Sequence, residues 1–201
     1  MISSLTAEYT VERPVAGLPL EVRKAGMRDI APILDLINGY AAKGIMLPRT
    51  EFELSENIRD FTVVTSDDRL LGCGALHFYS PTIGEIRSLA VREEAKTHGV
   101  GRRLVEGLVQ EGADYQLAAV FAFTYVVDFF RKVGFREVER GELPLKAWKD
   151  CLRCPKFQCC DEIAVLRVLR PDQYHAWGQG AATEPRVVFP LPTVKPPVTL
   201  K

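Results

Sequence analysis

The chain lacks a charge imbalance, a long apolar run and an N-terminal export pattern. Its 26 lysines and arginines match its 26 aspartates and glutamates, so the formal net charge is zero. Such a chain has no net attraction to nucleic acid or to an anionic membrane, and we expect neither as a partner. No apolar run approaches the roughly 18 residues that span a bilayer. The first residues also lack the basic and apolar segments of a secretory signal.

The cysteines do not form a disulfide framework. There are five, an odd number, and four of them are crowded together near the C-terminal end. This arrangement is typical of thiols in a reducing compartment, and we expect a cytoplasmic protein. Cys151 and Cys154 have the spacing of half a zinc site, but Cys159 and Cys160 are contiguous and follow closely. We therefore expect no metal, with a four-cysteine zinc cluster as the alternative.

The 201 residues, 47% of them hydrophobic and 26% charged, are enough for one globular domain with a real core. Residues 1–19 contain prolines and little periodicity, which predicts an extended arm. Residues 20–169 carry the periodic segments of the domain. From residue 170 onward prolines crowd together, which predicts an irregular or polyproline-like tail that packs on a partner subunit in a homodimer.

Hydrophobic periodicity predicts a mixed α+β protein. Asp29 is placed to cap the first helix, and Asp67-Asp68 makes a hairpin turn. Several strands follow one another directly, which favours a mixed central sheet with helices on both faces over a doubly wound parallel sheet. The predicted strands are 21–24, 61–65, 70–78, 84–91, 118–124, 135–139 and 162–169, and the predicted helices are one from 27–29 onward, 51–58, 99–111 and 126–132.

The centre of the chain contains a strand, a short loop with Gly99-Val100-Gly101, and a helix. Glycines at a helix start let the backbone approach an anion closely. The N–H groups of the first turn have no partner within the helix and point outward, and the helix dipole adds positive potential. The loop is therefore a candidate phosphate or pyrophosphate site, although a lone Gly-x-Gly is also found in ordinary strand–helix connections.

This succession of elements resembles the GNAT superfamily of acyl-CoA-dependent N-acetyltransferases over about residues 20–169. The family's phosphate loop has Arg or Gln at its first position, where this chain has Lys96. A lysine keeps the charge without the bidentate fork of arginine, which lowers the expected affinity. More narrowly, the chain resembles the short N-acetylglutamate synthases, which lack an amino-acid-kinase domain. The matching stretches are LPRT (47–50), NIRDF (57–61), EIRSLAV (85–91), FFRKVGF (129–135), LPLKAWKDCLRCPKF (143–157) and CDEIAV (160–165).

The resemblance implies acetyl-CoA as cosubstrate, held in a gap where two central strands splay apart. The backbone of Leu89 and Val91 is then expected to bind the pantetheine chain and the acetyl carbonyl, although both could simply be ladder residues. The residues that the resemblance assigns to the acyl-CoA site are Leu89, Ala90, Val91, Lys96, Thr97, His98, Gly99, Val100, Gly101, Arg102 and Phe130.

The resemblance also implies a glutamate general base, which here is Glu85. Strand alternation predicts that Glu85, Arg87 and Leu89 share one face, and a carboxylate in a partly desolvated cleft gains the raised pKa that a base needs. A structural pair between Glu85 and Arg87 is the alternative. The tyrosine that protonates the thiolate in many relatives is replaced by phenylalanine. Either Tyr125 substitutes for it, or the thiolate leaves unassisted, which we favour.

Arg87 lies in the middle of an apolar strand, where an unpaired cation is costly. A dicarboxylate substrate supplies a partner, because guanidinium binds carboxylate through two parallel hydrogen bonds. L-Glutamate has two carboxylates, so we expect a second cation: Arg49 in the LPRT loop, with Lys24 behind it. In the alternative, Arg87 pairs with Glu85 and Arg49 is solvated.

The sequence therefore predicts an acetyl-CoA:L-glutamate N-acetyltransferase, the first step of arginine biosynthesis. Two alternatives stay open. One is a GNAT enzyme for another small amine or a protein N-terminus. The other is an acyl-CoA-binding regulatory module without turnover.

Overall fold

The architecture is taken from a computed structural model, which describes residues 19–139, 142–143, 156 and 159–174. A seven-stranded sheet runs through the domain in the order β1-β2-β3-β4-β5-β7-β6. The strands are β1 (Glu21–Lys24), β2 (Phe61–Ser66), β3 (Arg69–Ser80), β4 (Ile83–Val91), β5 (Ala119–Thr124), β6 (Arg136–Glu137) and β7 (Ile163–Val168). The α-helices are α1 (Ile30–Ala41), α2 (Glu51–Asn57), α3 (Val100–Asp114) and α4 (Val127–Lys132).

The first four strands form an antiparallel meander, β4 and β5 are parallel, and β7 is antiparallel to both β5 and β6. Helices α1 and α2 pack on the face of the sheet formed by β2 and β3. Helix α3 packs on the other face, where α4 joins the same core beside β6 and β7. The predicted mixed sheet with helices on both faces is confirmed. Both turn residues of the β2–β3 hairpin, Asp67 and Asp68, have positive φ, as the turn that matches strand twist requires.

Three local expectations were wrong. The strand predicted at 135–139 is only two residues long. Residues 171–174 form a helical turn rather than irregular chain, whereas residues 175–201 lie outside the described part of the structure. Asp29 does not cap α1 through its side chain. It belongs to the preceding 3-10 turn, where its carboxylate accepts from the backbone N–H of Gly26 at 2.7 Å.

Asp29 also joins this turn to β1. Its two oxygens accept from the two terminal nitrogens of Arg23, at 2.8 and 2.9 Å, and the side chain is nearly buried. The hydrogen bonds from Arg23 are the main reason why the pKa of Asp29 lies below its ordinary value. The charged form is therefore favoured by folding, and its contribution is present above the ordinary value and lost as the pH falls through the lowered pKa.

We therefore expect Asp29→Asn to reduce the free energy of unfolding by about 2 kcal/mol at pH 7, the scale of hydrogen bonds to charged groups. Urea denaturation measures this loss, and the difference from the wild type should shrink as the pH is lowered below 4, approximately the ordinary pKa of aspartate. Asp128→Asn, which changes a carboxylate that is 84% exposed, is the matched control. An equal loss in both variants would argue against the Arg23 contact.

Among the described residues, no helix combines the length and apolar character needed to cross a bilayer.

Candidate active site

Strands β4 and β5 separate along their length. They pair only through Ile83–Glu85 and Ala119–Phe121. Beyond this point β4 continues to Val91 along β3, and β5 continues to Thr124 along β7. Because the two strands are parallel, the gap opens at their carboxyl ends. The expected splayed central strands are confirmed.

A β-bulge lies beside this gap. The register between β3 and β4 shifts around Gly74, opposite Ser88 and Leu89. Ser88 has φ of 52°, in the left-handed region that few non-glycine residues adopt. The extra residue interrupts the alternation of side chains along β4, as bulges generally do.

The bulge corrects one expectation about the faces of β4. Glu85 and Arg87 lie on the face that carries α1, because they pair with His77 and Ala75 of β3. The side chain of Leu89 packs instead against the cores under α3. The prediction that Leu89 shares a face with Glu85 was therefore wrong.

The backbone of Val91 faces the gap. The N–H of the next residue, Arg92, points toward β3 and donates to the carbonyl of Leu71 at 2.8 Å. The backbone groups of successive residues in a strand point to opposite sides. The N–H and carbonyl of Val91 therefore point away from β3 and toward the gap. Tyr40 donates its hydroxyl to this carbonyl at 2.6 Å.

The glycine loop follows directly at the same end of β4. Residues 96–99 are exposed, Thr97 and Gly99 have positive φ of 68° and 78°, and α3 begins at Val100. A Cβ added to Gly99 would have no atom within 4 Å, so the loop surface is open at this point. The outward N–H groups at the start of a 15-residue helix therefore meet solvent beside the gap.

Lys96 is held at the edge of this loop. Its ammonium donates to the carboxylate of Glu93 at 2.8 Å and lies 5.2 Å from the ring centroid of Tyr40. The hydrogen bond to Glu93 is the main cause that raises the pKa of Lys96, so its charge is retained. Arg102, one turn into α3, is exposed and paired with Glu106 at 2.6 Å.

The two phenylalanines near α4 occupy different environments. The ring of Phe130 is 3% exposed and packs in the core against Phe135. It has almost no surface to offer a ligand, so the structure does not place it in the gap. Phe129 is partly exposed, and a Cβ on Gly101 would lie 3.4 Å from its ring. Phe129, and not Phe130, therefore lies beside the start of α3.

Tyr125 follows the end of β5, on the opposite side of the gap from Val91. Its ring is 43% exposed, and Lys156 donates to its hydroxyl at 3.3 Å. Burial is the largest cause that raises its pKa, which keeps the hydroxyl protonated. The residue can therefore donate a proton, because the hydrogen bond from Lys156 occupies only a lone pair of its oxygen.

Glu85 is the buried carboxylate of the site, with 9% of its surface exposed. Tyr79 donates its hydroxyl to one carboxylate oxygen at 2.6 Å, and the Tyr79 ring stacks on Phe121 of β5 with centroids 5.6 Å apart. Tyr79 was not among the residues predicted from the sequence. The β3–β4 register shifts between Phe78 and Ser80, so alternation along β3 does not place this side chain on the face of Glu85.

The proposed cations are only partly brought together. Arg87 is half-buried on the face that carries α1. The loop of Arg49 is fixed to α1, because the Asn38 amide bonds the backbone N–H and carbonyl of Arg49 at 2.9 and 3.0 Å. Lys24 lies on the edge strand β1, where it binds Glu111 of α3 at 2.7 Å. The structure therefore does not bring Lys24 to this site.

The cysteine cluster is only partly described. Cys151 and Cys154 lie outside the described residues, whereas Cys159 and Cys160 belong to them. The described part of the chain has no group of three or more metal-ligating side chains.

Comparison with known proteins gives close relatives. An uncharacterized N-acetyltransferase of Chlorobaculum tepidum is 41% identical over 148 residues, which are 74% of this chain and 96% of the relative. An amino-acid acetyltransferase of Mycobacterium tuberculosis is 38% identical over 145 residues, 71% of this chain and 82% of the relative.

Solved structures of similar fold include proteins that were crystallised with coenzyme A. A Mycobacterium tuberculosis protein in complex with CoA and NLQ superposes with a TM-score of 0.64 at 31% identity, over 74% of this chain and 99% of that one. The N-acetylglutamate synthase of Neisseria gonorrhoeae, complexed with coenzyme A and N-acetyl-glutamate, has a TM-score of 0.68 at 29% identity. Here the match covers 75% of this chain but 35% of the synthase. The model of the acetyltransferase (GNAT) family matches residues 33–135, and the chain therefore belongs to that family.

Proposed function

We propose that this acetyltransferase moves the acetyl group of acetyl-CoA to the α-amino group of L-glutamate. The observation that carries the proposal is that a buried carboxylate, Glu85, and a half-buried guanidinium, Arg87, lie on one face of a strand whose edge is open beyond Glu85. The amino-acid acetyltransferase relative and the synthase complex with N-acetyl-glutamate support this choice of acceptor.

Acetyl-CoA binds along the carboxyl ends of β4 and β5 in this proposal. The N–H groups of Leu89 and Val91 donate to the pantetheine chain and to the acetyl carbonyl, whose oxygen gains negative charge during attack. The loop 96–101 and the start of α3 bind the pyrophosphate, because free N–H groups and the helix dipole favour an anion there. Phe129 lines the same end of the gap.

The chemistry requires a neutral amine as nucleophile. Glu85 removes a proton from the substrate ammonium, and the amine then attacks the thioester carbonyl. Expulsion of the thiolate completes the transfer. The thiolate leaves unassisted in our preferred route, because the thiol of CoA is acidic enough to leave as the thiolate. Arg87 binds one carboxylate of glutamate and Arg49 the other.

Thiol release from acetyl-CoA tests the function directly. The wild-type protein is assayed with L-glutamate, L-glutamine, L-aspartate, a short peptide with a free N-terminus, and no amine. Release that depends on glutamate, with an N-acetylglutamate product by mass spectrometry, supports the proposal. Release only with another amine assigns a different acceptor, and no release with any amine would leave an acyl-CoA-binding module.

We expect Lys96→Ala to raise the Kd for acetyl-CoA about fivefold at low ionic strength, because it removes one cation from the phosphate loop. The effect should fade in 0.5 M salt, where the screening length is short. Isothermal titration measures both values. Lys132→Ala, which removes an exposed lysine of α4, is the matched control. A salt-independent loss would indicate a packing role for Lys96 against Tyr40 instead.

A further inference from the structure

Two further ionisable side chains, His77 and Asp60, lie near Glu85 and contact each other. Nδ1 of His77 is 2.9 Å from a carboxylate oxygen of Asp60. An ionised carboxylate only accepts hydrogen bonds, so Nδ1 carries the proton of the neutral ring. The other nitrogen, Nε2, then has a lone pair and can accept a proton. Asp60 therefore fixes the tautomer in which His77 acts as a base.

His77 lies opposite Glu85 on the neighbouring strand. The two residues are partners in the antiparallel register of β3 and β4, and their side chains lie on the same face. Partners of this kind have Cβ atoms about 4.5–5.5 Å apart. Tyr79, which donates to Glu85, contacts the His77 ring edge-on with centroids 5.1 Å apart. Among the described residues of the sheet, the ionisable groups on the face of Glu85 include Tyr79 and His77 from β3 and Arg87 from β4, with Asp60 beyond His77. Strand β5 contributes the apolar Phe121.

The reaction releases one proton in every cycle. An ammonium group and a thioester become an amide, a thiol and one free proton. The substrate ammonium gives its first proton to Glu85, and the second proton of the attacking nitrogen leaves with the thiolate. Glu85 is 9% exposed, so it has little direct contact with solvent through which to lose its proton. The His77 side chain is 31% exposed and reaches solvent more readily.

We propose that the Asp60–His77 pair takes the proton from Glu85 and passes it to solvent. The O–H bond of the protonated Glu85 breaks, a bridging water carries the proton across, an N–H bond forms at Nε2 of His77, and the imidazolium facing Asp60 then loses its proton to bulk water or buffer. This inference rests on the proposed function, because it requires Glu85 to be the base. His77 acts through Glu85 and does not itself contact the substrate.

The test is a chemical rescue of His77→Ala. At low buffer concentration, glutamate-dependent turnover of this variant should fall about tenfold, less than the roughly 10²–10⁴-fold of a lost general base. Added imidazole should restore turnover, because a small base that enters the vacated space replaces the relay. Glu85→Gln should gain nothing from imidazole. Asp60→Asn should fall by a smaller factor than His77→Ala, because the ring remains but its tautomer is no longer fixed.

Two outcomes would overturn the relay while leaving the function intact. One is wild-type turnover by His77→Ala at every buffer concentration. The other is a loss that no buffer restores, accompanied by a lower Tm, which indicates a structural role. Tyr115→Phe, at an exposed tyrosine whose ring contacts Phe78, controls for nonspecific effects of altering an aromatic side chain. Absence of glutamate-dependent release by the wild type, by contrast, would remove the proposed function and the relay together.

Discussion

Turnover of Glu85→Gln is expected to fall by roughly 10²–10⁴-fold at neutral pH, with an acetyl-CoA affinity close to that of the wild type. The amide has nearly the shape of the carboxylate, but it cannot take a proton from the substrate ammonium. Only the small fraction of glutamate that is already deprotonated at neutral pH then reacts.

Glutamine is the informative replacement because it preserves the surroundings of the side chain. The Tyr79 hydroxyl, which donates to Glu85 at 2.6 Å, can donate equally to the amide oxygen. The stack of Tyr79 on Phe121 is also unaffected. A loss of activity in this variant therefore reports on proton transfer and not on a rearranged β3–β4 pair.

Steady-state kinetics and isothermal titration separate a loss of turnover from a loss of acetyl-CoA binding. A lower kcat with an unchanged Kd for acetyl-CoA supports the base. Raising the pH should partly restore the rate of Glu85→Gln, because a larger fraction of the amine is then neutral. Glu137→Gln, at an exposed glutamate of β6, is the matched control. A wild-type rate in Glu85→Gln at pH 7 would remove Glu85 from this role.

Features with a local cause were predictable from the sequence. The Asp67-Asp68 turn lies between two apolar strands, and its residue types tolerate positive φ. The glycine loop and the amphipathic helix behind it are also encoded within about 20 residues. The central strand, at 84–91 in the sequence analysis and Ile83–Val91 in the structure, was therefore placed to within one residue.

Features that depend on register were not predictable in the same way. The left-handed conformation of Ser88 has no local signature, because serine seldom adopts it and only the pairing with β3 imposes it. Because of this bulge, the side chain of Leu89 lies on the face that carries α3, opposite to that of Glu85. The placement of His77 beside Glu85 needs the same register. The sequence predicts Lys24 at the site, but the edge position of β1 directs it to Glu111.

For Arg87→Ala, the KM for glutamate is expected to rise by roughly 10²-fold, with a much smaller change in the KM for acetyl-CoA. Truncating one partner of a hydrogen-bonded charge pair costs about 2–5 kcal/mol, and each 1.4 kcal/mol is about a factor of ten. Arg87 lies two residues from Glu85 on the same face of β4, so a carboxylate bound there leaves the α-amino group near the base.

The acceptor profile distinguishes substrate binding from folding. A lost carboxylate contact should reduce the preference of Arg87→Ala for glutamate over glutamine if Arg87 binds the side-chain carboxylate. If it binds the α-carboxylate, which both amino acids share, their KM values should rise together. Arg87→Lys keeps the charge without the bidentate fork and should recover only part of the loss. Arg49→Ala should then weaken binding of the glutamate carboxylate that Arg87 does not contact. If Arg87→Ala instead raised the KM for acetyl-CoA as much as that for glutamate, Arg87 would be a structural residue of β4, and the acceptor site would have to be sought elsewhere on the open edge of the gap.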